Sequence, residues 1–180
     1  YQFVNINEDI NLYNKVNKTQ ILLNSYYFLN KEMLESNLEN VVGDNWYVNG
    51  ATWESTIAHE LGHYISFVLL LKENGMSNIT FETPTSQTQI QSIIEIFNSG
   101  THSNQIVNEA LLNFNSKYNL NYDIDNFAST ISKYASTKDK IGNVIADETI
   151  AEAIHDYYLH GSSMKNSSRE IVNVIKNRLY

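Results

Sequence analysis

The stretch TIAHELGHYISF, Thr56 to Phe67, constrains the fold of this chain more than any other. Ile57, Leu61, Ile65, Val68 and Leu69 recur at helical spacing, and no proline interrupts them. Thr52 offers a cap, and ENG after Lys72 offers a stop, so a helix is expected from about Trp53 to Leu71 or Lys72. Two histidines stand four residues apart inside it, with a glutamate directly after the first. Residues at that spacing lie one above the other, about 6 Å apart along the axis. His59 and His63 therefore point at one object. Gly62 between them costs about 1 kcal/mol of helix propensity relative to alanine, and close packing over that face is a reasonable explanation for it.

The pattern HExxH suits a catalytic zinc ion. Two neutral imidazoles ligate the metal, while Glu60, turned about 100° around the helix, reaches a metal-bound water as general base. The sequence holds no cysteine, so a transition metal has only His, Asp, Glu and water to bind. A third protein ligand must come from far away, because Ser66 and Leu69 occupy the places where the longer HExxHxxGxxH pattern has its glycine and third histidine. The best source is DETIAEAIHDYY, Asp147 to Tyr158. Glu148 ranks first as ligand, with Glu152 and then His155 as rivals. Glu152, one turn after Glu148, can instead accept a hydrogen bond from the non-ligating nitrogen of a zinc-bound histidine, fixing its tautomer. Helix glutamates ordinarily face solvent, but two acids on one side of a mostly apolar helix are costly unless exposed or paired. His102, after a turn, reads as a loop residue, and His160 as the end of its helix.

The rest of the chain reads as helix-rich. One or two amphipathic helices are expected in residues 1–44, on Leu12, Val16 and Leu23, then Tyr27, Leu34 and Leu38. GDNWYVNGAT reads as a turn, a short extended piece and a second turn. A short strand is expected at Ile79 to Phe81, then a loop with Pro84. Further helices are expected at about Gln89–Phe97, Asn104–Tyr118, Ile124–Tyr134, Ala146–Leu159 and Ser168–Leu179. With 180 residues and no repeat or linker, a single domain, 1–180, of the α+β class is expected: helix-rich, with a small mixed or antiparallel sheet. The net charge of −8 and a total of two arginines argue against nucleic acid or an anionic membrane as partner. The longest apolar run, FVLLL, is far too short to cross a bilayer.

HELGHYI, then YAST, then ETIAEAIHDY resembles the zinc peptidase domains of the anthrax lethal factor type, the secreted clostridial Pro-Pro endopeptidases, and related domains of phage head-associated proteins. The segment NQIVNEALLNF is similar to the phage-associated members as well. The resemblance implies a zincin-like fold with Zn2+ on His59, His63 and Glu148, Glu152 in support, Glu60 as general base and Tyr134 as the oxyanion donor. It also implies a secreted or virion-associated setting. Ile154 stands where phenylalanine is frequent, and Tyr134 and Glu148 are separated by more than the usual two turns, with DKIGNVIAD between YASTK and ETIAEA. The expected function is that of a zinc metalloendopeptidase acting on a peptide or protein, with an edge strand at Trp46–Val48 or Ile79–Phe81 to pair with substrate. The alternative is a non-catalytic structural or interaction module, phage-head associated by the same resemblance.

Overall fold

The computed structural model describes residues 32, 33, 35, 36, 42–76 and 84–180. Six α-helices have their bounds among them: α1 (Thr56–Glu73), α2 (Pro84–Asn98), α3 (Thr101–Tyr118), α4 (Ile124–Ser129), α5 (Ala146–His160) and α6 (Asn166–Leu179). A 3-10 turn, Gly161–Ser163, joins the last two. α5 is the central helix. Thr149 through Asp156 are all buried, and the helix packs against α1, α3 and α6. A helix buried on every side can carry charged residues only where each finds a partner. Glu152, His155 and Asp156 are therefore the positions around which its neighbours must be arranged.

The most extensive helix pair is α1 on α5, and Gly62 explains how closely they approach. A β-carbon placed on Gly62 would lie 2.6 Å from Ala151 Cα and 3.2 Å from its carbonyl oxygen. Both obstacles are backbone, which cannot turn aside as a side-chain end can. The propensity lost at Gly62 is thus exchanged for a backbone-to-backbone crossing. His59 and His63 flank the crossing on α1, and Glu148, Glu152 and His155 flank it on α5. The main apolar core lies beyond, where Leu69, Ile106, Ile150 and Ile171 meet Phe114 and Phe127. A smaller cluster of Leu70, Met76, Ile90, Ile93 and Phe97 joins the end of α1 to α2.

The α+β expectation is corrected here: among the described residues there is no strand, only an isolated bridge between Lys138 and Val144. The fold is a helical bundle. The extended piece at Trp46–Val48 does not form an edge strand, because its main chain is engaged internally. Lys133 N donates to Asn45 O at 2.9 Å, Tyr134 N to Trp46 O at 2.8 Å and Ala51 N to Val48 O at 3.2 Å. Val48 N donates to the Glu152 carboxylate at 3.1 Å. The expected helices of residues 1–44 and the strand at Ile79–Phe81 lie outside the described residues, except for the positions named above.

Several boundaries also differ from expectation. α1 starts at Thr56, three residues after the position expected from Thr52. Thr52 and Ser55 instead bond reciprocally, Thr52 N to Ser55 Oγ at 2.8 Å and Ser55 N to Thr52 Oγ1 at 3.3 Å, capping the turn before the helix. α2 begins at Pro84 itself, where the missing N–H costs nothing in a first turn. α4 ends at Ser129 instead of running to Tyr134, and this early stop leaves residues 132–135 to meet α5 and the 45–46 segment.

A Gly62→Ala substitution tests the crossing. Alanine is normally the better helix former by about 1 kcal/mol, so a Gly62→Ala variant governed by propensity would be more stable. Overpacking against the Ala151 backbone reverses the sign, and a net loss on the order of 1–3 kcal/mol is expected in denaturant unfolding.

Candidate metal centre

His59 and His63, both buried, project from α1 toward Glu148 on α5. Glu148 Oε2 lies 3.2 Å from His59 Nε2 and 3.6 Å from His63 Nε2. The three ligand atoms lie within 4.8 Å of one another. The imidazole planes stand edge to face, with centroids 5.1 Å apart. These are two nitrogen donors and one carboxylate oxygen on two helices, converging across the crossing at Gly62. The group can chelate a metal ion.

Glu152 is completely buried and fully engaged. Its Oε1 faces His59 Nδ1 at 2.9 Å and His155 Nδ1 at 3.4 Å. Its Oε2 accepts from Val48 N at 3.1 Å and Ser132 Oγ at 2.7 Å. An ionised carboxylate offers only acceptors, so His59 presents its N–H at Nδ1 to Glu152 and turns Nε2 toward Glu148 and His63. That leaves Nε2 as the nitrogen a metal ion would take, with the ring held from behind. A second convergent group, His59, Glu152 and His155, meets the same 4.8 Å limit. The two groups share His59 through opposite ring nitrogens.

The electrostatics follow from the same contacts. Burial opposes a charge on His59, but its hydrogen bonds to Glu148 and Glu152 outweigh burial and hold its pKa up at about 9. Burial also pushes the two carboxyls up. The bonds and charge of His59 and His63 nevertheless hold Glu148 far below the carboxylate range, and His155, His59 and Ser132 bring Glu152 to about 2. Metal ligation requires a neutral imidazole, so a metal ion and a proton compete for His59 Nε2. Tyr134 and Tyr47 are raised above the ordinary phenol value, first by burial and then by the surrounding carboxylates.

Glu60 and Tyr134 stand beside the ligands. With Tyr47, Thr56, His59 and His155 they line a cavity of about 80 Å³. Glu60 Oε2 is buried and has no hydrogen-bond partner among the described residues. The ring of Tyr134 lies 5.4 Å from that of His59 and 5.1 Å from that of Tyr47. The long segment between Tyr134 and Glu148 returns because it closes on itself. Asp139 Oδ1 accepts from Ile141 N and Asn143 N, both at 2.9 Å, Gly142 takes φ +91°, and Ile145 N reaches Thr137 O at 2.8 Å.

His102 is not a loop residue. It sits in the first turn of α3, buried, with Nε2 2.9 Å from Glu73 Oε2. His160 closes α5 and meets Asp156 through Nδ1 at 2.6 Å. Sequence reasoning missed Ser55, Ser132 and the Val48 N–H. Nothing in the sequence distinguishes these two serines from the others, and a main-chain donor leaves no trace in residue type.

The expectation of a zinc metalloendopeptidase, a hydrolase of the zincin class, is corrected together with the fold. HELGH is present, but it lies on a helix of an all-helical body with no sheet among the described residues, and of the two segments expected to pair with substrate, Trp46–Val48 is bonded internally while Ile79–Phe81 lies outside the described residues.

Removing the Glu152 carboxylate would leave the His59 Nδ1–H, the Val48 N–H and the Ser132 hydroxyl without their buried acceptor. Glu152→Ala is expected to lose roughly 3–5 kcal/mol of stability, as when one partner of a buried charged pair is removed, and chemical denaturation measures it. No family model, no curated protein and no solved structure matches this chain.

Proposed function

We propose that this chain is a zinc-binding helical module, structural or interacting rather than catalytic, in which the ion ties α1 to α5. The supporting observation is the convergence of His59 Nε2, His63 Nε2 and Glu148 Oε2 across that helix pair. Zinc fits the spacing as well as the chemistry. Around a tetrahedral ion with bonds of about 2.0–2.1 Å, donor atoms sit about 3.3 Å apart, close to the 3.2 and 3.6 Å separating Glu148 from the two nitrogens. A nitrogen and carboxylate set without thiolate suits zinc among the borderline metals.

The ion's contribution would be binding energy shared between two helices that are distant in sequence. Three protein ligands leave one position for a donor they do not supply. Glu60, with its unpartnered Oε2 on the cavity wall, is placed to receive a hydrogen from a group bound there. For an interaction module that donor belongs to a partner, and the resemblance to phage head-associated domains favours an assembly role.

Metal analysis of the full chain tests this reading. One zinc per chain is expected, with uptake lost in His63→Ala and Glu148→Ala and retained in Glu60→Gln. Saturation at a hundred times the dissociation constant would add about 2.7 kcal/mol, and at 2–4 °C per kcal/mol for a chain of this size a chelator should lower Tm by roughly 5–11 °C. Wild-type protein that takes up no zinc, or whose Tm ignores it, would sink the proposal.

A further inference from the structure

On the far side of His59 from the candidate ligands, Glu152 and His155 complete a second buried group. His155 is 1% exposed and is held at both ring nitrogens, Nδ1 against Glu152 Oε1 at 3.4 Å and Nε2 against Ser55 Oγ at 2.7 Å. Its ring meets that of His59 edge to face at 6.2 Å. Three uses of this group can be compared: a second metal site, a nucleophilic triad, or a support.

A second ion on His59, Glu152 and His155 would have to displace both N–H groups that Glu152 Oε1 receives. All three residues are buried, so the ion would have to be stripped of its water to reach them. At 2.9 Å the His59 contact already has the length of an ordinary N–H to oxygen bond. Protons satisfy this group without an ion.

Ser55, His155 and Glu152 also stand in the order of a serine–histidine–acid relay. Ser55, however, is buried, does not line the cavity, and its oxygen already accepts from Thr52 N at 2.8 Å. A carbonyl carbon cannot approach it. The third use remains.

We propose that His155, anchored by Ser55, is a positioning residue that holds Glu152 and thereby the hydrogen bond it accepts from His59 Nδ1–H, so that it sets metal affinity from about two hydrogen bonds away. Glu152 accepts only, which fixes the His155 N–H at Nδ1. Nε2 then faces Ser55 Oγ at 2.7 Å, whose one hydrogen is shared between Nε2 and Thr52 O, 2.9 Å away, and the ring cannot rotate without losing both contacts. The relay ties the turn before α1 to the middle of α5, so the start of α1 and the orientation of its first ligand are set together. This inference rests on the His59, His63 and Glu148 zinc reading.

The experiment compares wild type, His155→Leu, His155→Asn and Ser55→Ala in the full chain. Zinc affinity is measured by competition with a chelator, and the solvent exchange rate of the His59 Nδ1–H reports its bond to Glu152 in the metal-free protein. Wild type should bind one equivalent. His155→Leu should bind 10–100-fold more weakly and exchange that hydrogen faster. His155→Asn keeps a donor toward Glu152 and should return both readouts most of the way, which a loss of packing alone would not do. Ser55→Ala should fall between. Affinity and exchange rate unchanged in His155→Leu overturn the relay while leaving the metal site intact. Two equivalents in wild type, one of them lost in His155→Leu, overturn it in favour of a second metal site. Wild type that binds no zinc overturns the metal reading and this inference with it. Should His155→Leu fail to fold, Ser55→Ala decides, and unchanged affinity with an unchanged His59 Nδ1–H exchange rate overturns the relay.

Discussion

The backbone contact of Gly62 with Ala151 is the constraint on which the rest of the structure depends. Without it, α1 could not approach α5 closely enough for His59 and His63 to meet Glu148 and Glu152. A glycine in the middle of a helix weakens that helix, so the crossing must contribute more through packing and polar contacts than the helix gives up. His59, His63, Glu148 and Glu152 all lie within one turn of the crossing. The same few residues therefore carry both the packing of the two helices and the geometry of the candidate ligands.

Glu152 carries the cost of placing that site inside the bundle. A buried carboxylate is tolerated only when its lone pairs are filled. Four donors fill them, from the 48 position, from α1, from the segment after α4 and from α5 itself. Several otherwise independent segments are thus pinned to one group. The early end of α4 at Ser129 and the self-closing turn at Asp139 are local features with the same result, because they return Ser132 to Glu152 and Tyr134 to the cavity.

The error about the sheet is instructive in physical terms. Trp46 to Val48 has the composition of a strand, with aromatic and β-branched residues between turns. What decides strand or coil there is where the main-chain hydrogen bonds go, and they go to residues 133 and 134 and to a side chain on α5. Those partners lie more than eighty residues away, beyond the reach of any local pattern. The same limit applies to His102. A histidine after Ser-Gly-Thr reads locally as part of a turn, yet its burial and its contact with Glu73 at the end of α1 are settled by the tertiary structure.

The sequence by itself determined the helical character of residues 56–73 and 146–160, the alignment of His59 with His63, and the exclusion of sulfur ligands. Each of these follows from periodicity or composition within one element. It also signalled through Gly62 that something must pack closely on α1. Only the tertiary structure decided that the body is a helical bundle rather than a sheet-bearing fold, and that Glu148 faces both histidines while Glu152 stands behind one. The involvement of Ser55, Ser132, His155 and the Val48 N–H was likewise settled there. The physical reason is that such groupings are properties of contacts between elements, fixed by the close approach at Ala151 and by the need to satisfy buried charge, and neither is encoded in the spacing of residues along one helix.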